Sequence, residues 1–205
     1  MPNKMNLRYR LPLILIITAV CTYLIEINQG RLTTNQPNDN HTNIEYDRKL
    51  YKHWIDEDKD CQDTRQEVLI SESIEPVILD DKGCRVISGR WYDPFTGNTF
   101  ADPSDLDIDH LVPLKEAHLS GAHSWTEERR RFYANDLSNE DSLIAVSKSA
   151  NRSKGAKDVA LWLPPNKYFH CEYVRRWVAV KETWGLVIDE IEADAIAPIM
   201  AKCRL

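Results

Sequence analysis

Apolar residues run almost without interruption from Leu11 to Ile25, behind a flank that carries Lys4, Arg8 and Arg10. That pattern predicts a targeting segment: a positive flank and an apolar run shorter than the roughly 20 residues of a comfortable membrane span. Residues 1–27 read as a signal peptide or an uncleaved signal anchor, and Val20 stands where a lipidated Cys21 would need a small neighbour. From Asn28 to Asn43 the chain is polar with no apolar period, which predicts a linker. From Ile44 the apolar residues Ile44, Tyr51, Trp54 and Ile55 recur at helical spacing and predict an amphipathic helix.

Further on, Thr64 and Glu67 have the spacing of a capping box and lead into a helix that Pro76 stops. The β-rich runs Val77-Ile78-Leu79 and Arg85-Val86-Ile87 flank a turn cluster and predict a hairpin. Turns at 93–97 and 102–105 deliver the chain to a strand around Asp109. A short helix from Leu114 ends at Gly121, and Ser124 and Glu127 suggest a capping box for a basic helix through Arg129-Arg130-Arg131. Leu143–Val146 reads as a second strand, with Ser147 as N-cap of a helix holding Asn151 and Lys154. Pro164-Pro165 precedes a helix within Asn166–Trp184, stopped by Gly185. The last helix starts at Asp189, with Ile191, Ala195, Ile199 and Cys203 placed to face the core. The order predicts one α+β domain over residues 44–205.

The chemistry concentrates in Asp107-Ile108-Asp109-His110. On a strand, Asp107 and Asp109 share a face, so their carboxylates can converge while His110 serves as a base. Asn151, followed by Arg152, Lys154 and Lys157, offers an amide oxygen among cations, as a metal-assisted phosphate site requires. These residue types point to a phosphodiester substrate.

Asp109-His110-Leu111-Val112-Pro113, Ser142–Val146 and Asn151-Arg152-Ser153-Lys154-Gly155 together resemble the HNH nucleases, whose core is a ββα-metal finger. Gly83–Gly89, Trp91–Gly97 and Trp162–Asn166 extend the resemblance to the secreted and GmrSD-type C-terminal-domain branch, over roughly residues 45 to 205. The resemblance implies a finger over 107–160 embedded in a mainly helical domain with a short β-hairpin. It also implies Asp109 and Asn151 as protein ligands of one divalent metal and His110 as the residue that activates water. Magnesium is the first expectation, with manganese or calcium next. Arg152 and Lys154 would neutralise charge at the phosphate, and Asp107 would brace the site. Ser142 stands where the family usually has an Asn that orients the His, so Ser142 or Asn139 would have to supply that support. Ser147 and Ala150 occupy positions where many fingers carry a zinc-binding Cys pair.

Charge then refines the partner. The formal net charge of -6 argues against a generic nucleic-acid binder, but residues 41–110 hold 8 cationic against 17 acidic residues while 111–185 hold 12 against 9. The basic excess therefore accompanies the motif. Arg129, Arg130 and Lys157 are the candidate nucleic-acid contacts, with solvated surface as the competing reading of the arginine run. Setting Cys21 aside, four cysteines allow three pairings, of which Cys61–Cys84 and Cys171–Cys203 join neighbours in this layout. The remaining histidines, including His118 and His53, read as surface residues.

The expectation is an extracytoplasmic endonuclease, secreted, periplasmic or anchored by its N-terminus, hydrolysing DNA rather than RNA and without sequence specificity. The alternative is a catalytically decayed, membrane-tethered nucleic-acid-binding module of the same fold. No protein partner can be inferred.

Overall fold

The strand Leu106–His110 alternates apolar and acidic side chains, and that alternation decides where it lies. In the computed structural model, which describes residues 45–203, it is β5 and pairs antiparallel with β6, Leu143–Ser147. The register sets Ile108 opposite Ala145 and Asp109 opposite Ile144. Residues of one face, Leu106, Ile108, Leu143 and Ala145, enter an apolar cluster with Val68, Leu69, Val86 and Trp91. The other face puts Ile144 and Val146 in a second, larger cluster with Tyr173, Val174 and Trp177. The ribbon thus separates two cores, and Asp107 and Asp109 share the face that looks toward the larger one.

Helix α1, Thr64–Glu72, packs on the first face. Its N-cap is Asp63, which accepts from the Gln66 N–H at 3.0 Å. The expected cap, Thr64, is the first helical residue, and its hydroxyl donates to the Ile55 carbonyl and the Asn135 side chain. The expected hairpin is formed by β1, Ile78–Leu79, and β2, Val86–Ser88, with an irregular register. The turn at 93–97 belongs to a second hairpin of β3, Trp91–Asp93, and β4, Asn98–Phe100, whose strands are too short to show a period.

Side chains cover the outer edge of β6. The Ala145 N–H donates to Glu72 at 2.8 Å, and the Ser147 N–H to Asp93 at 3.2 Å. Two carboxylates therefore satisfy an edge that would otherwise be open to pairing.

Helix α2 spans Leu114–Leu119 and α3 spans Glu127–Ala134. Thr126, rather than Ser124, caps α3; Ser124 belongs to a preceding 3₁₀ turn. Ser147 caps α4, Lys148–Lys154, as expected. Helix α5, His170–Trp184, ends at Gly185, whose φ of 66° lets its N–H return to the carbonyls of Lys181 and Glu182. Asp189 and Glu192 form a capping box for α6, Glu190–Lys202.

Ile191 was expected to face the core, yet it is 70% exposed and Glu192 is buried in its place. Glu192 accepts from the Trp177 indole at 2.8 Å and from Lys181, whose ammonium also reaches Glu116, Ser120 and the Val187 carbonyl. This polar knot ties α2, α5 and α6 together and rotates α6 so that Glu192 and Ile196 point inward. Disulfides join Cys61 to Cys84 and Cys171 to Cys203.

Residues 45–55 depart most from expectation. Only Arg48–Leu50 form a 3₁₀ turn, and the remainder is an irregular strap in which Trp54 has a φ of 57°. The helical spacing of its apolar residues misleads because each is anchored separately. Tyr51 is fully buried with its hydroxyl on His118, while Trp54 stacks on His110. The targeting and linker segments predicted at 1–43 lie outside the described residues. Among the described residues no helix is long and apolar enough to cross a membrane.

Candidate active site

A two-residue step on β5 faces a three-residue step on α4, so each acidic side chain of the strand meets a polar one of the helix. The Asn151 amide donates to Asp107 at 3.1 Å, and the Lys154 ammonium donates to Asp109 at 2.6 Å. Spacing alone produces this: strand residues i and i+2 share a face, as do helix residues i and i+3. That contact directs the Asn151 NH₂ group at Asp107, and among the described residues its carbonyl oxygen accepts no hydrogen bond.

His110 ends β5 and is 6% exposed. Its Nε2 lies 2.9 Å from the Ala134 carbonyl. A carbonyl only accepts, so Nε2 carries the proton and Nδ1 keeps its lone pair. The ring lies between Trp54, at 5.6 Å and 25° between planes, and Tyr133, at 6.3 Å and 25°. Burial between these aromatics holds the imidazole down to about 3, so it is neutral at ordinary pH. Ser142 does not provide the expected support: its hydroxyl donates to Asp136 at 2.7 Å. The carbonyl at the end of α3 orients His110 instead, and a backbone acceptor leaves no trace in side-chain spacing.

Asp109, His110, Asn151 and Arg152 line one cleft of about 350 Å³. Asp107 stands behind it, touching Asn151. Lys154 is not at the surface of the cleft. It is fully buried, bonded to Asp109 and to the His110 carbonyl at 2.9 Å, so its ammonium is turned inward and does not reach a phosphate bound in the cleft. Burial pushes the Asp109 carboxyl up and the Lys154 ammonium down, with their mutual attraction opposing both. An unpartnered charge at this depth would cost several kcal/mol, on the order of 3–5, so each group holds the other in place.

The arginine run is not brought to the cleft either. Arg129 donates to the Trp184 carbonyl at 2.8 Å and lies over the Trp125 ring, Arg130 donates to the Trp125 carbonyl at 2.6 Å, and Arg131 pairs with Glu57. Lys157 bends back to the Ser153 carbonyl at 2.7 Å. The cations that do line the cleft with Arg152 are Lys115 and Arg48, neither of which has a sequence signal of its own. His118 is buried rather than on the surface, and His53 stands beside His110 with ring centroids 6.3 Å apart.

The donor set fits a hard divalent ion. Among the described residues no hydrogen bond reaches the second oxygen of Asp109, the amide oxygen of Asn151 or Nδ1 of His110, and two of these are oxygens. Asp56, Asp58 and Asp60 form a separate trio of carboxylates on the exposed surface, where such clusters are common without an ion.

This arrangement of strand pair, helix and cleft can be set beside known proteins. No solved structure matches the chain. An uncharacterized secreted protein of Arthroderma benhamiae is 39% identical over 158 residues, covering 77% of this chain and 76% of that protein. The family described as the C-terminal domain of GmrSD restriction endonucleases matches residues 62–199, a span that includes both strands of the ribbon, α4, and the Ala134 carbonyl that orients His110. The α+β fold with short antiparallel hairpins agrees with that match, and the chain belongs to the GmrSD restriction endonuclease C-terminal domain family, with the nuclease-related role the family carries.

Proposed function

We propose that the protein is a metal-dependent endonuclease that hydrolyses phosphodiester bonds of nucleic acid, DNA in preference to RNA, outside the cytoplasm. The observation that carries this reading is the state of His110: its Nε2 proton is committed to the Ala134 carbonyl, which leaves the Nδ1 lone pair free on a residue that lines the same cleft as Asp109 and Asn151. A neutral imidazole with one nitrogen fixed and the other unbonded is what proton abstraction from water requires.

In this mechanism Asp109 and Asn151 hold one divalent ion, magnesium before manganese or calcium. When bound, such an ion would supply Lewis-acid stabilisation of the phosphate and of the leaving oxygen. The Lys154 ammonium favours the ionised form of Asp109 against its burial and fixes its position, and Asp107 holds the Asn151 amide through its NH₂ group. His110 takes a proton from the attacking water at Nδ1. The cost of placing charge on a buried imidazole is offset by the phosphate it then faces. Arg152, exposed at the rim, balances charge on the phosphate in the transition state.

Two disulfides and the secreted relative support an extracytoplasmic setting, with residues 1–27 as the targeting segment. The catalytically decayed alternative draws its motive from Ser142; the Ala134 carbonyl, which bonds His110 directly, supports the active reading. Cutting of plasmid DNA in magnesium, absent in EDTA and in His110→Ala, tests the reading; metal-independent cutting, or full activity in the variant, would overturn it.

A further inference from the structure

Five of the arginines near the motif or along α5 are engaged: Arg129 and Arg130 with carbonyls, Arg131 with Glu57, and Arg175 and Arg176 with Glu172. Arg48 is different. It is exposed at the cleft that holds Asp109, His110 and Asn151, and among the described residues it forms no ion pair. Its guanidinium lies 3.2 Å from Nε2 of His53. His53 Nδ1 lies 2.8 Å from the Tyr51 carbonyl, so Nδ1 carries the ring proton and Nε2 accepts from Arg48. A backbone carbonyl thus fixes the tautomer of His53, and His53 fixes the direction of Arg48.

The strap that carries these residues is itself fastened. Tyr51 is buried against His118, the Asn135 amide donates to the Lys52 carbonyl at 2.8 Å, and the Ile55 N–H donates to Asn135 at 3.2 Å. Arg48 is therefore a cation held in advance on a well-fastened segment, in a cleft whose other exposed cations among the described residues are Lys115 and Arg152. The strap also lies outside residues 62–199, the span the family shares.

We infer that Arg48, oriented by His53, is a substrate-positioning residue that grips a backbone phosphate of the nucleic acid, so that the strap 45–55 forms a working wall of the active site. This rests on the nuclease reading, since it names a further contact within the same cleft. A guanidinium held this way loses little freedom on binding, and its two-pronged donor geometry suits a phosphate better than an ammonium does.

The test uses the full chain with Arg48→Gln, which retains a donor for His53 without the charge, and Arg48→Lys. Arg175→Ala serves as a control that removes one charge elsewhere. Binding of a fluorescein-labelled DNA duplex is followed by anisotropy across a salt series in EDTA, and cutting of the same duplex is followed in magnesium. Arg48→Gln is expected to reduce the slope of log affinity against log salt by about 0.9, the value for one phosphate contact on duplex DNA. KM is expected to rise about tenfold with kcat nearly unchanged, and Arg48→Lys to recover the salt slope with only part of the KM. If Arg48→Gln matches Arg175→Ala in slope and KM while the parent protein cuts, the inference fails and the nuclease reading stands. If the slope falls as expected but nothing is cut, the nuclease reading fails and the phosphate contact stands. A parent protein that neither binds nor cuts overturns both.

Discussion

Replacing Lys154 by Met removes one half of the ion pair that ties α4 to β5. Both partners are almost wholly shielded from water, with side-chain exposures of 0% and 7%, and they meet at 2.6 Å. Surface screening therefore offers little relief, and breaking such a pair costs about 3–5 kcal/mol because the surviving carboxylate is left buried and alone. For a domain of this size each kcal/mol moves Tm by about 2–4 °C, so Lys154→Met is expected to melt roughly 6–20 °C lower at neutral pH in EDTA. The loss has a pH signature. Burial already raises the Asp109 carboxyl, and without Lys154 it rises further. A group whose folded value lies above its unfolded one gives its full stability below the unfolded value and loses it as pH rises through the folded value. The deficit is thus smallest near pH 4 and grows toward neutrality. Magnesium, by pairing with the surviving carboxylate, restores part of the lost stability, and Asp109→Asn combined with Lys154→Met melts above the single variant. Thermal unfolding followed by circular dichroism across pH, with disulfides intact, measures all three. A Lys154→Met protein that melts within about 2 °C of the parent in EDTA at neutral pH would refute the reasoning.

Further outcomes follow from other contacts. Burial pushes the Glu72 carboxyl from 4.5 up to about 7, so the parent loses stability as pH rises between those values; Glu72→Gln, which still accepts from Ala145, flattens that slope and gains about 1–2 kcal/mol at pH 8 in urea unfolding. Ser142→Asn does not raise cutting activity and costs about 1–3 kcal/mol by overfilling a buried position bonded to Asp136, measured by denaturant midpoint and plasmid assay. Arg129→Ala and Arg130→Ala each cost about 1 kcal/mol of stability while leaving the salt dependence of DNA binding unchanged, because their guanidinium groups are bonded to carbonyls within the protein.

The ribbon and α4 were legible in the sequence because their information is local. Asp107-Ile108-Asp109 alternates with the strand period, Ser147 caps α4, and Asn151 and Lys154 follow at the helix period, so each motif residue falls on its predicted element. What a side chain does once there depends on partners distant in sequence. Lys154 reads as a phosphate ligand by composition, but its helix position turns it onto Asp109. Support for His110 comes from the Ala134 carbonyl, and any residue type at position 134 would offer one. The strap shows the same limit: Tyr51 and Trp54 repeat like a helix, yet His118 and His110 claim them individually. Glu192 displaced Ile191 from the core because two buried donors on α5, the Trp177 indole and the Lys181 ammonium, require an acceptor there.

The most direct measurement of the central claim is cleavage of supercoiled plasmid by the full chain, purified with its disulfides, in magnesium and in EDTA, beside a His110→Ala protein shown to be folded. The account predicts nicking and linearisation in magnesium alone, reduced at least about a hundredfold in the variant. Cleavage that persists at parental rate in His110→Ala, or a folded parent protein inert under magnesium, manganese and calcium alike, would contradict it.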